Sequence, residues 1–138
     1  MKTNSTNYYD TFLEVAEDTK ATCGLQPPTK VGKTSVAEIQ YELISQHPYG
    51  YTSDEVVFMT HTLRSEGMGE ESEQEKDLYF SKGRPCLRTS PLTKTYGFGI
   101  HYNSEGKMAL YGVETPEYAQ FVADQGLAKV KAMRTKRG

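Results

Sequence analysis

The sequence predicts an α+β domain, a mostly antiparallel sheet with helices packed on it, built from a single chain of 138 residues. Three observations lead there. The segments YDTFLEVA, GFGIHY and KMALYGV have the composition and apolar spacing of strands. The last two are separated only by Asn103-Ser104-Glu105-Gly106, a connection so short that the strands must run antiparallel. Helix-start signatures occur at several points between and after these strands, which favours helices layered on one mostly antiparallel sheet.

The elements follow in chain order. Tyr9 to Ala16 reads as the first strand, with Phe12, Glu14 and Ala16 alternating with Leu13 and Val15. ATCGLQPPTKVGK reads as a loop, because Pro27 and Pro28 remove two backbone donors and disfavour helix. Ser35-Val36-Ala37-Glu38 has capping-box spacing and predicts a helix to about Gln46. Its expected buried stripe is Val36, Ile39, Leu43 and Ile44, and His47-Pro48-Tyr49-Gly50 stops it.

Thr52 to Arg64 carries conflicting signals. Thr52 and Glu55 have capping-box spacing, but Val56, Val57, Phe58, Thr60 and Thr62 are strand formers, and the stretch is read as a strand. A helix is expected around Glu73 to Lys82, with Gly83 ending it. Ser90-Pro91 is a cap followed by a first-turn proline and predicts one short helical turn. Gly97 to Tyr102 and Lys107 to Val113 form the hairpin, expected at the centre of the core. Thr115-Pro116-Glu117 opens a final helix with Tyr118, Phe121 and Val122 on one face, which Gly126 ends or bends.

Composition narrows the function. A net charge of −2 argues against a generic nucleic-acid binder. No run approaches the roughly 20 apolar residues of a membrane span. Cys23 and Cys86 form no disulfide framework, and MKTNSTNYYD has no export leader, so a reducing cytoplasm is expected. Residues 66 to 77 are acidic. The end of the chain, residues 127–138, is a basic tail expected to be solvated and frayed.

The motifs are weak. Gly32-Lys33-Thr34-Ser35 imitates the end of a phosphate-binding loop, but Pro27 stands where the pattern needs glycine. His47, His61 and His101 show no ligand pairing, so neither metal nor cofactor is expected. Cys86 lies beside Arg84 and Arg88, which can lower a thiol pKa, and His101 follows not far behind. The plainer reading is a buried, inert thiol and a satisfied strand histidine. Lys82, Arg84, Arg88 and Lys94 are the best lead. With Ser90, His101 and the amides near Ser90, they are expected to make a weak anion site. The competing reading is that they neutralise the acidic segment of the same chain.

The run SKGRPCLRTSPLTKTYGFGIHYNSEGKMALYGVETPEY resembles the C-terminal half of a family of small, mainly bacterial proteins of unknown function. NYYDTFLEVAED and QYELISQHPYGYTSDEVVF resemble the same family, so the likeness covers nearly the whole chain. It implies no activity, cofactor or catalytic residue. A fainter, fold-level likeness is to MmcQ/YjbR-like proteins. The resulting expectation is a binding module for an anionic small molecule or a partner's acidic segment. The alternatives are a small enzyme using Cys86 or His101, and an interaction protein with no small-molecule site.

Overall fold

A computed structural model of the chain describes residues 6–27, 35–64 and 87–133. Within them four strands pair in one sheet: β1 (Thr11–Glu14), β2 (Phe98–Tyr102), β3 (Met108–Gly112) and β4 (Ala128–Lys131), in the order β3-β2-β1-β4. The expected hairpin is present. β2 and β3 pair antiparallel, and Gly106 turns between them at φ 79°, where a Cβ would be strained. β1 also pairs antiparallel with β2. The third pairing, β1 with β4, is parallel, so the sheet is mixed. β2 is central, while β3 forms one edge rather than the middle of the core.

Side chains alternate across the sheet. The register places Leu13, Ile100, Tyr102 and Met108 on one face, and all four are buried. That face packs against α1 (Val36–Gln46), α2 (Ser53–Arg64) and the four-residue α3 (Pro91–Lys94). The other face carries Phe12, His101 and Tyr111 and is covered by α4 (Pro116–Ala123), through Tyr118 and Phe121. Gly99 lies directly beneath Tyr118, and its missing side chain lets the helix come close. The path β3-α4-β4 is therefore a crossover that returns the chain parallel to β1. This places residues 128–131 of the expected basic tail in a strand.

Ser35 and Ser90 cap α1 and α3 as expected, but the return bond of the α1 capping box does not form, and Glu38 Oε1 is buried without a partner among the described residues. Ser35 accepts from Glu38 N at 3.2 Å, and Ser90 accepts from Leu92 N at 3.2 Å. The buried stripe of α1 differs in part: Ala37, Ile39, Gln40 and Ile44 are buried, whereas Val36 and Leu43 are half-buried.

The strand expected over Thr52 to Arg64 is the helix α2 instead. Its capping box closes in both directions. Glu55 Oε1 accepts from Thr52 N at 2.9 Å, and Thr52 Oγ1 accepts from Glu55 N at 3.3 Å. Ser53, Val56, Val57 and Thr60 are buried at helical spacing. The threonine hydroxyls turn back onto the helix, Thr60 to Val56 O at 2.7 Å and Thr62 to Met59 O at 3.0 Å. Cap and buried stripe together outweigh the weak strand preference of the β-branched residues. The helix expected at 73–82 lies outside the described residues.

Candidate functional site

The tight turn after α1 organises the edge of the sheet. α1 ends at Gln46 with His47 as its C-cap, and in the turn that follows Tyr49 adopts φ 57°, a left-handed conformation that sends the chain along β3. Tyr49 N donates to Met108 O at 2.7 Å, and Met108 N donates to Tyr51 O at 3.0 Å. The docked segment thus closes the β3 edge at Met108 and leaves it beyond.

A partly open cleft of about 340 Å³ occupies the space that follows. Tyr41, Ile44, Ser45 and Pro48 line it from the α1 side, and Phe98, Ala109, Leu110 and Tyr111 from the sheet. Among the described residues, none that lines the cleft is charged. Tyr41 and Phe98 stand with ring centroids 5.6 Å apart. Phe98 pairs in register with Gly112, so β3 puts no side chain opposite its ring on that face.

Tyr111 also belongs to a polar chain on the far face. Tyr49 Oη lies 2.9 Å from Tyr111 Oη and 2.8 Å from His101 Nδ1. The imidazole stacks on Phe121 at 4.3 Å, nearly parallel. Ala109 pairs with His101, and its small side chain leaves room on that face for Tyr49 to reach the imidazole. Burial lowers the His101 pKa below its ordinary value, against the opposing pull of Asp10 and Asp124. Burial, then the hydrogen bond and charge of Tyr111, raise the Tyr49 phenol far above the usual range. At neutral pH the chain therefore joins a neutral imidazole to a neutral phenol. Such a phenol is a poor nucleophile, and the Nδ1 of the imidazole is already engaged.

Of the residues expected to bind an anion, Arg88, Ser90, Lys94 and His101 are among the described ones. Arg88 Nε donates to Lys131 O at 2.6 Å, and Met133 N donates to Arg88 O at 2.8 Å, which fastens the 3-10 turn Leu87–Thr89 to the end of β4. Ser90 is 3% exposed and donates to Gln40 Oε1 at 2.6 Å. The amides near Ser90 are also occupied, Leu92 N by Ser90 Oγ and Thr93 N and Lys94 N by Ser90 O. Lys94 is half-buried at the end of α3. His101 lies on the opposite face of the sheet from this group. Lys82, Arg84 and Cys86 lie outside the described residues, as does all of the imitation phosphate loop except Ser35, which caps α1. Among the described residues no three His, Cys, Asp or Glu are grouped to hold a metal, and no helix is long and apolar enough to cross a membrane.

Tyr49 and Tyr111 were not singled out by sequence reasoning. The only local signal was His47-Pro48-Tyr49-Gly50, which marks a turn but not the partners of its tyrosine. No curated protein and no solved structure matches the chain. The model of one family does, over residues 2–138, and the chain belongs to it: the family of unknown function DUF6157.

Proposed function

We propose that the protein is a binding module that takes a small, uncharged, partly apolar ligand in the cleft between α1 and β3. The observation that carries this is the lining itself. Aromatic and aliphatic surface from Tyr41, Ile44, Pro48, Phe98 and Leu110 is joined by the hydroxyl of Ser45 and by the strand edge at Ala109 and Tyr111, with no charge among them. Ligand sites are commonly mainly apolar with a few convergent polar groups. Among the described residues an anion would meet no compensating cation there, and Arg88 and Ser90 are engaged in holding the fold.

A thermal-shift screen of neutral and anionic small molecules tests the reading. A ligand present at about 100 times its Kd adds about 2.7 kcal/mol of stability. Neutral heteroaromatic compounds should dominate the stabilising set. Ser45→Phe, at an exposed position on the cleft wall, should abolish their effect while leaving the free protein folded. A set dominated by phosphate, sulfate or carboxylates, unaffected by Ser45→Phe, would overturn the reading.

A further inference from the structure

The hydrogen bonds around β3 show which of its amides face outward. Asn103 N donates to Lys107 O, and Val113 N donates to Gly97 O. These two rungs set the alternation between β2 and β3. Ala109 and Tyr111 are consequently the residues that bond to β2, and Met108, Leu110 and Gly112 turn their backbone groups away from it. Met108 is occupied by Tyr49 and Tyr51, and Gly112 O accepts from Thr115 N at 3.0 Å and Thr115 Oγ1 at 2.7 Å. Leu110 N–H and C=O have no partner among the described residues. Ala109 and Tyr111 point their side chains to the other face, yet both line the cleft, so it reaches the strand edge beside Leu110.

We propose that the cleft recognises a planar ring bearing a hydrogen-bond donor next to an acceptor, of the amino-heteroaromatic or lactam type, paired edge-on with the backbone of Leu110. The inference rests on the binding reading above and names its ligand class. The ring acceptor takes the Leu110 N–H, and the adjacent donor gives its hydrogen to the Leu110 C=O. Tyr41, Phe98 and Pro48 supply the apolar surface for the ring. An added peptide strand fits less well. It needs successive rungs, and both neighbouring outward carbonyls are occupied, so among the described residues the edge offers one complete donor–acceptor rung.

The test uses the whole chain and an isosteric pair of probes, 2-aminopyrimidine and 2-methylpyrimidine, titrated by amide-detected NMR. The methyl group keeps the size of the amine and removes its donor. 2-Aminopyrimidine should shift the Leu110 amide and bind about five- to tenfold more tightly, the worth of one net hydrogen bond. Equal affinities, with shifts at Tyr41 and Phe98 only, would overturn this inference and leave the binding reading standing. No response from cleft residues to either probe would overturn both. Tighter binding at Leu110 by a blocked trialanine peptide than by 2-aminopyrimidine would overturn the small-ring proposal in favour of strand addition.

Discussion

Gly99→Ala puts one methyl group where the two layers meet most closely. An ideal Cβ at Gly99 would stand 2.6 Å from Tyr118 Cε2, 2.7 Å from Phe12 Cζ and 3.0 Å from Leu13 O. Carbon atoms in contact prefer about 3.5–4.0 Å, so Tyr118 and Phe12 must move by roughly 1 Å. Phe12 is fully buried and has little room to yield. Tyr118 is held by its hydroxyl, which accepts from Val15 N at 3.0 Å. Overpacking costs about 1–3 kcal/mol, and loosening that hydrogen bond about 1 kcal/mol more. The lower entropy of the unfolded alanine chain offsets about 0.4–1 kcal/mol. The net expectation is a loss of about 2–3 kcal/mol, or a fall in Tm of about 10 °C for a chain of this size. Urea unfolding should show a lower midpoint at unchanged slope. Gly126→Ala is the control, because among the described residues its Cβ meets only the Asp124 side chain, at 3.2 Å, and it should stay within about 0.5 kcal/mol of the parent. If Gly99→Ala matches that control, α4 does not pack on the sheet as described.

Three further outcomes are expected. Ser90→Ala should cost about 2–3 kcal/mol by chemical denaturation, since it removes a helix cap and strands the buried Gln40 carbonyl; a loss below about 0.5 kcal/mol would contradict this. Arg88→Gln should increase amide exchange in β4 with little change in global Tm, because its contact is peripheral; unchanged exchange would show that the arginine does not hold the strand. For His101 the folded pKa lies below the ordinary value of 6.5, so the unfolded chain binds the proton more readily. Its stabilising contribution is present above about pH 6.5 and declines as pH falls through that value towards the folded pKa. His101→Gln should flatten the dependence of stability on pH in that window, and an identical slope in both proteins would rule out this origin.

Much of the local structure was legible because its causes are local. Ser35 and the His-Pro-Tyr-Gly turn bound α1, Ser90-Pro91 starts α3, and Gly106 closes the hairpin. In each case a cap, a proline or a positive φ acts within a few residues. For α2 two local signals conflicted, and burial decided between them. The stripe of Ser53, Val56, Val57 and Thr60 has somewhere to bury only once α1 and the sheet are in place.

The larger arrangement depended on the tertiary structure. The lysines of β4 read as a solvated tail until β1, more than a hundred residues earlier, supplies the parallel partner for its backbone. The sheet separates Ser90 from His101, which proximity in sequence had grouped together. Tyr49 meets His101 and Tyr111 across 52 and 62 residues of chain, and among the described residues the Leu110 rung stays unpaired between neighbours that Tyr49, Tyr51 and Thr115 occupy. Capping and turn preferences act over one or two turns of backbone. Which strand edge stays open depends on every segment that packs against it, and no local pattern encodes that.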